Sequence, residues 1–505
     1  RPSRRTGAMP NTPASPSALA RLWRRLYDRL GPILWPNWLA MLGTAVALAC
    51  GALILAALIL NLIAAALNQP LNPYFGLIAF MVLPGFFTLG AVLVVAGNIS
   101  HRRRLRRRPV AAGEPAFDPS SVGRRAILLG GATLASLVVL AAFSYQAYHY
   151  TDSTHFCSDV CHTVMQPEAT AYQRSPHARV PCVSCHIGPG ASWFVRAKLS
   201  GLRQVWAVAT NSYATPIPTP VENLRPAQET CEVCHWPAKF HGSKLRVRQH
   251  FEPDRGNTPS TTALVVKVGG PEGAAGPAHG IHWHVDPQHR VRYRHLDRER
   301  QDIVEVVQSS ANGELRYLRQ DADPADTTGH WRTMDCVDCH NRPTHIYELP
   351  HEAVDAALAA GQLDPSVPWL RQEATRVIKE TEPDAQTAAR LAARLAEIYG
   401  AEHPEDLPAL QGSLPAAAPV LADILERNVF PKMKVTWGTY RSNLSHFDLD
   451  GEISAGGCFR CHDENHATAD GRTISQDCET CHTLLAERER DPAALPAYVA
   501  DIVGR

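Results

Sequence analysis

Uncharged hydrophobic runs dominate the first 150 residues of the chain. Three of them, residues 38–67, 73–98 and 126–148, contain no charged side chain. Each is long enough to cross a bilayer as an α-helix, which takes about 20 apolar residues. One such run could be a buried core helix or a signal peptide, but three in succession predict a membrane anchor. We therefore expect two transmembrane helices and a basic loop within residues 38–125, and a third transmembrane helix within residues 126–150.

The arginines of this part predict its orientation. Residues 1–125 contain 15 Arg and no Lys against three acidic residues, a balance of +12 in a chain of net charge +1. Part of this charge is the run HRRRLRRR at residues 101–108, between the second and third hydrophobic runs. Basic segments stay on the cytoplasmic side of a membrane. Residues 1–37 and the loop that ends at residue 125 are therefore predicted to be cytoplasmic, and the chain beyond residue 150 to lie outside. We interpret the arginine run as this topology signal and expect no nucleic-acid partner.

The pattern changes twice beyond the membrane anchor. Residues 151–242 show little regular periodicity except for an amphipathic helical stretch at 191–210. Residues 243–335 contain short alternating or β-branched segments, such as ALVVKV and GIHWHV, separated by Gly, Pro, Asn and Asp. This pattern is typical of strands and predicts a small antiparallel sheet inserted into a domain that is otherwise helical or irregular.

The last third of the chain, residues 336–505, is predicted to be mostly helical. Residues 351–400 have helical spacing of Ala and Leu, as in TAARLAARLAEIYG. A Pro-rich linker at 404–419 then leads to a short helix expected near 419–428.

Cysteine spacing carries the chemistry. Twelve of the 13 cysteines form six close pairs, and a histidine follows each pair directly; the thirteenth, Cys50, is expected to be a small buried thiol. In C-x-x-C-H the two thiols can form thioethers to one porphyrin, and the adjacent histidine binds the iron as proximal ligand. The six motifs are Cys157-Cys161-His162, Cys182-Cys185-His186, Cys231-Cys234-His235, Cys336-Cys339-His340, Cys458-Cys461-His462 and Cys478-Cys481-His482.

Five regular motifs favour covalent haem c over the alternatives. Paired cysteines can also hold zinc, but a zinc ribbon does not require a histidine after every second cysteine. The first motif, Cys157 to His162, has three residues between its cysteines, so a disulfide or an unmodified pair is the alternative there. The sequence predicts a membrane-anchored multihaem cytochrome c with about six haems.

Electron-transfer haems need a second axial ligand. Met165 follows the first motif and is a candidate for its iron. His282 and His284 stand two apart in a segment predicted to be a strand, and we expect only one of the two to face a haem; which one stays open. The distal candidates are His177, His282, His284, His345, His446 and His466.

The segment from residue 126 to 240 resembles the NapC/NirT/NrfH family of membrane cytochromes. It has a hydrophobic run into a first Cys…Cys-His motif, then YQRSPHARVPCVSCH, then WFVRAKLSGLRQVW. The remainder, including GIHWHV, MDCVDCHNRPTH and GCFRCHDENH, resembles the larger ImcH-like inner-membrane type. The resemblance implies oxidation of a quinol at the outer membrane face by the first haem.

The resemblance also implies residues for the quinol site. Lys198 matches the family lysine near the quinol, and Gln204 stands where the family often has a carboxylate that accepts a proton. Asp159, inside the irregular first motif, is the candidate to replace that carboxylate.

Three functions compete at this point. The leading prediction is a quinol dehydrogenase in the bacterial cytoplasmic membrane that passes electrons to periplasmic redox proteins. An electron-wire subunit of a larger complex, without its own quinol site, is the second. A terminal reductase is the third, but it needs an open iron position, and the chain has enough histidines to fill them all. The expected partners are the quinol pool, the lipid bilayer and periplasmic redox proteins; a complex or a homo-oligomer stays open.

Overall fold

A computed structural model describes most of the chain. The described residues are 33–66, 82–106, 138–139, 142–143, 145–160, 162–188, 191–221, 224–236, 240–269, 280–286, 288–410, 412–444, 446 and 453–503. They belong to two compact units, Arg1–Phe156 and Cys157–Arg505.

The N-terminal unit contains two long apolar helices. Helix α1 is Trp38–Ala66 and helix α2 is Leu83–Arg106. By length and composition, Trp38–Leu60 and Leu83–Arg104 could each span a membrane. The third predicted span lies largely outside the described residues, although residues 145–151 are helical.

Small residues let α1 and α2 approach closely. A Cβ added at Gly43 would lie 2.5 Å from the carbonyl oxygen of Gly90, and one at Gly90 would lie 2.7 Å from the backbone nitrogen of Ala47. Backbones this close are typical of packed membrane helices, where small residues line the interface. Cys50 is buried on α1, as predicted.

The C-terminal unit begins with helices that carry or flank the motifs. Helix α5 confirms the helical stretch predicted at 191–210. These helices are α3 (His162–Gln173), α4 (Cys182–His186), α5 (Ala191–Ala209), α6 (Ala227–Cys231) and α7 (Cys336–Cys339).

Four further helices form the main hydrophobic core. They are α8 (Pro350–Ala359), α9 (Leu370–Glu380), α10 (Thr387–Glu402) and α11 (Ser413–Glu426), and a short helix α12 (Ala497–Val503) follows near the end. Leu391, Leu395 and Leu421 are fully buried between them. The prediction of a linker to residue 419 was wrong, because α11 begins at Ser413 and contains Pro419. Its early Pro415 is tolerated because first-turn N–H groups have no partner within a helix.

Two antiparallel sheets confirm the predicted β insertion. The first has the order β1-β2-β8 and the second the order β6-β3-β4-β5-β7. Each sheet is completed by a strand from beyond residue 336, so the insertion is closed by the segments that hold the last two motifs. The strands are β1 (Ser243–Phe251), β2 (Pro259–Lys267), β3 (Arg290–His295), β4 (Ile303–Ser310), β5 (Gly313–Arg319), β6 (His330–Thr333), β7 (His466–Ala467) and β8 (His482–Glu489).

The GIHWHV segment was wrongly predicted as a strand. Ile281–Val285 forms a 3-10 helix that begins after Gly280, which has a φ of 72°. A Cβ at position 280 would lie 2.5 Å from the carbonyl oxygen of Lys267. Glycine is required there because its missing side chain allows both the positive φ and the close approach.

Candidate functional site

Each of the five regular motifs is built on a short helical turn. A turn places residues three apart on the same side, so both cysteines of C-x-x-C can face one ligand. The second motif is α4, the third follows from the end of α6, and the fourth is α7. The fifth and sixth motifs begin in the 3-10 turns Gly457–Arg460 and Cys478–Thr480.

Four motif histidines each face a second histidine from elsewhere in the chain. Two imidazoles bound to opposite sides of one metal ion, with bonds of about 2.0 Å, have ring centroids about 6 Å apart. The observed spacings agree with this geometry. The centroid distances are 6.2 Å for His186–His345, 6.0 Å for His177–His235, 6.3 Å for His282–His340 and 5.8 Å for His284–His462.

His446 lies close enough to His482 of the sixth motif to be affected by its charge. Burial, and then the neighbouring His482, lower the pKa of His446. The His446 ring also lies 4.8 Å from the ring of Phe459, between the two cysteines of the fifth motif. The sixth motif therefore has a distal candidate as well.

Spacing alone does not identify a ligand pair. His295 and His330 also have ring centroids 6.0 Å apart, but they are cross-strand neighbours on β3 and β6. What distinguishes the four motif pairs is that each joins a C-x-x-C-H histidine to a partner on another segment.

Hydrogen bonds orient the distal rings. The Nδ1 atoms of His177, His282 and His284 lie 3.1, 3.1 and 2.9 Å from the backbone oxygens of Pro343, Val268 and Ile281. The Nδ1 atom of His345 lies 3.0 Å from the backbone oxygen of Glu168. A carbonyl can only accept, so each Nδ1 carries the proton and Nε2 keeps the lone pair that a metal needs.

Burial favours neutral imidazoles in these pairs. It lowers the pKa of His186 to about 4, with a smaller contribution from His345. It also lowers the pKa of His282, His284 and His340. Metal ligation requires the neutral ring, so the environment prepares these histidines for it.

The 3-10 turn Ile281–Val285 serves two motifs at once. His282 pairs with the fourth motif and His284 with the fifth. The expectation that only one of the two faces a haem site was wrong, because a 3-10 turn directs them toward different motifs. The turn therefore bridges neighbouring sites.

Successive motifs are adjacent in space. Helix α4 packs against α6, and α6 packs against α7. Burial raises the pKa of Cys185, Cys339 and Cys481, and nearby cysteines raise it further. The pKa of Cys231 is raised chiefly by a hydrogen bond with Cys336. The interactions between motifs are Cys185 with Cys234, Cys231 with Cys336, Cys339 with Cys458 and Cys458 with Cys481. The second to sixth motifs are thus arranged in space in the same order as along the chain.

His466 is not placed to bind a metal, contrary to the prediction. It is fully buried, its Nδ1 lies 2.9 Å from the Asp463 carboxylate, and its Nε2 lies 3.1 Å from the backbone oxygen of Ile303. Both nitrogens are therefore occupied by protein acceptors. His466 stabilises the pairing of β5 with β7 instead.

The first motif is described only in part. Cys157 and Asp159 lie in the π-helical turn Phe156–Val160, and the Asp159 carboxylate accepts a hydrogen bond of 2.7 Å from Ser158. His162 and the half-buried Met165 lie on α3. Cys161 and the His162 side chain lie outside the described residues.

Two of the predicted quinol residues, Lys198 and Gln204, lie on α5, and part of the exposed surface of this helix is apolar. Gln204 is exposed, and it stands six residues after Lys198, which is about 240° around a helix. The two therefore do not share a face; the Lys198 side chain lies outside the described residues. Leu199, Leu202 and Trp206 form an exposed stripe along α5, and Trp206 is 70% exposed.

Sequence reasoning missed Asp338, which is buried within the fourth motif. Its carboxylate accepts hydrogen bonds from Tyr293 at 2.6 Å, Arg332 at 2.7 Å and Arg300 at 3.2 Å. Its backbone oxygen accepts from Arg460 of the fifth motif at 2.7 Å. Asp338 therefore joins two motifs to the larger sheet. A variable position of C-x-x-C-H gives no signal for such a role.

These residues fit haem c and not zinc. In the part of the chain that the structure describes, the motif cysteines and histidines nowhere converge as groups of three or more potential ligands. The group that does converge, Glu373, Glu402 and His403, lies in the helical core, where Arg376 pairs with both carboxylates. Near the His186–His345 pair, two buried donor atoms, Nη2 of Arg342 and the hydroxyl of Tyr347, have no hydrogen-bond partner. Donors of this kind suit the carboxylate groups of a haem.

Two apolar helices and C-x-x-C-H motifs faced by histidines define a membrane-anchored c-type cytochrome. Comparison with known proteins agrees. The N-terminal region of the NapC/NirT cytochrome c family matches residues 120–230. The cytochrome c-type protein ImcH of Geobacter sulfurreducens is 38% identical over 464 residues, which cover 90% of this chain and 89% of that protein. No solved structure matches. The chain belongs to the NapC/NirT cytochrome c family, whose members carry covalent haem c and transfer electrons.

Proposed function

We propose that the protein oxidises membrane quinol and passes the electrons, through six covalently bound haems, to redox proteins in the periplasm. The observation that carries this proposal is the series of four histidine pairs with ring centroids about 6 Å apart, which belong to the second to fifth motifs. Haem c, when bound, supplies a one-electron carrier at each motif. An ordered series of such sites is what a relay requires.

The histidine pairs argue against a terminal reductase. A reductase needs an open iron position for its substrate. At four motifs a second histidine ring lies about 6 Å from the motif histidine, and His446 lies near the sixth, so a haem iron bound at these motifs would have two histidines available to it. The residues therefore favour electron transfer over substrate binding.

Helix α5 supports a quinol as the electron donor. Leu199, Leu202 and Trp206 recur at helical spacing on its exposed face. A helix with an apolar stripe and basic neighbours is suited to the surface of a bilayer, where a quinol would be reached. We propose that Lys198, one turn before Leu202, lies at the quinol site.

Quinol oxidation also releases two protons, which need an acceptor. Asp159 is the proposed acceptor because it is a carboxylate within the first motif, whereas Gln204 cannot be deprotonated. Gln204 is proposed only to bind the quinol by hydrogen bonds. The Asp159 carboxylate accepts a hydrogen bond of 2.7 Å from the Ser158 hydroxyl.

We place the protein in the bacterial cytoplasmic membrane with three spans and the motif-bearing unit in the periplasm. Arginine placement and the position of the first motif after the third hydrophobic run support this topology. The second candidate function, an electron-wire subunit without a quinol site, is favoured by the two additional N-terminal helices, which could bind a partner.

The quinol site is tested with Lys198→Ala in the purified full-length protein. A reduced menaquinol analogue is added without oxygen, and haem reduction is followed by visible absorbance. We expect at least tenfold slower reduction than in the parent. Lys244→Ala, on exposed β1, is the matched control and should leave the rate unchanged. Equal rates in all three proteins would contradict a quinol site at Lys198.

A further inference from the structure

The distal candidate of the second motif has a carboxylate close to its Nδ1 atom, whereas the Nδ1 atoms of His177, His282 and His284 lie beside backbone carbonyls. The Nδ1 atom of His345 lies 3.0 Å from the Glu168 carboxylate as well as 3.0 Å from the backbone oxygen of the same residue. Glu168 lies on α3, after the first motif, and is only 8% exposed. Its charge is thus held close to His345 and away from solvent.

The contrast with the other distal candidates is one of charge. His177, His282 and His284 direct Nδ1 to neutral backbone carbonyls. His345 also directs Nδ1 to a backbone carbonyl, but the Glu168 carboxylate places a negative charge 3.0 Å from the same nitrogen. A negative charge beside the N–H of an imidazole makes the opposite nitrogen a stronger electron donor. A stronger donor stabilises the more highly charged ferric state of an iron bound to that nitrogen.

A buried arginine partly offsets the charge of Glu168. Nη1 of Arg342 lies 3.3 Å from the Glu168 carboxylate, and its guanidinium lies 3.9 Å from the centroid of the Tyr440 ring. Arg342 is 9% exposed, and it comes three residues before His345 on the loop after the fourth motif. Glu168 and Arg342 therefore place two opposite, buried charges beside His345.

We propose that Glu168 and Arg342 are positioning residues that set the redox potential of the haem attached at Cys182 and Cys185. Glu168 lowers this potential through His345, and Arg342 limits the effect. The inference rests on the proposed function, because it requires a haem at the second motif. It concerns one haem of the relay and does not require a quinol site.

Two variants test the effect of each charge on the redox potential. Glu168→Gln keeps the shape of the side chain and removes its charge, and Arg342→Met removes the positive charge. Spectroelectrochemical titration of the full chain should show one midpoint potential raised in Glu168→Gln by about 59 mV, which is a tenfold change for one electron. Arg342→Met should shift it downward, and Arg342→Lys should restore it. The low-spin electron paramagnetic resonance signal of the same haem should change in Glu168→Gln.

Glu348→Gln is the matched control. Glu348 lies three residues after His345 and pairs with Arg174 and Arg427 instead. Its removal should leave every potential in place. If Glu168→Gln does not fold, the downward shift in Arg342→Met and its absence in Arg342→Lys still decide the question.

Different experimental results would overturn this inference and the proposed function. Unmodified Cys182 and Cys185 in peptides of the parent protein would overturn both the haem assignment and the inference. Modified cysteines together with unmoved potentials in Glu168→Gln and Arg342→Met would overturn the inference alone.

Discussion

The hydrogen bonds of its two ring nitrogens decide whether a histidine in this protein is a candidate metal ligand. His345 directs Nδ1 to the backbone oxygen of Glu168, and its ring centroid lies 6.2 Å from that of His186. His466, four residues after a motif histidine, has both nitrogens bound to protein acceptors. Two residues of the same type near motifs therefore have different roles, and hydrogen bonds distinguish them.

Replacing each of these histidines by alanine should separate the roles. In His345→Ala we expect one haem to change from low to high spin, since its iron loses a ligand. In His466→Ala the spins should not change, but the free energy of unfolding should fall by about 1–3 kcal/mol because the Asp463 and Ile303 acceptors lose their donor. Electron paramagnetic resonance and denaturant unfolding measure the two effects. A high-spin signal in His466→Ala would contradict the assignment.

The attachment residues could be predicted from sequence, but the pairing of ligands could not. C-x-x-C-H is a local pattern with a local chemical reason, so each motif is visible by itself. His345 follows the fourth motif yet faces the second, and His177 precedes the second motif yet faces the third. Such pairings arise from packing between segments, which a single sequence does not display.

At the scale of elements, the 3-10 turn Ile281–Val285 shows why a strand pattern misled. The segment alternates apolar and polar residues, as a strand does. Gly280 turns the backbone at its start, and the Nδ1 bond of His284 to Ile281 lies within the turn. The local hydrogen bond and the packing of the two histidines against two different motifs outweigh strand propensity here. By contrast, β3, β4 and β5 fulfil the same kind of pattern because they pair with one another.

The turn predicts that its two histidines act on different haems. His282→Ala and His284→Ala should each convert one haem to high spin, and the double variant should convert two. The reason is that the fourth and fifth motifs each lose one ligand. Quantitative electron paramagnetic resonance of the oxidised protein measures this, with His289→Ala of the same segment as control. A double variant with the same signal as either single one would mean that both histidines serve one iron.

At the scale of the whole molecule, order along the chain matches order in space for the second to sixth motifs. Thiols of neighbouring motifs lie close enough to raise one another's pKa, and Asp338 and the 3-10 turn connect the fourth and fifth motifs. The composition also divides the chain, since its first 125 residues are strongly basic and the remainder is acidic on balance. The proposed relay from the membrane to the motif-bearing unit would account for both features.

Reduction of the isolated chain by quinol tests this account most directly. The purified full-length protein is mixed rapidly with a reduced menaquinol analogue in the absence of oxygen, and the haem absorbance is compared with that after dithionite. We predict that quinol reduces haems without any partner protein, and that peptide mapping finds six modified cysteine pairs. Haems that dithionite reduces but quinol leaves oxidised would contradict the account and favour an electron wire that depends on a partner.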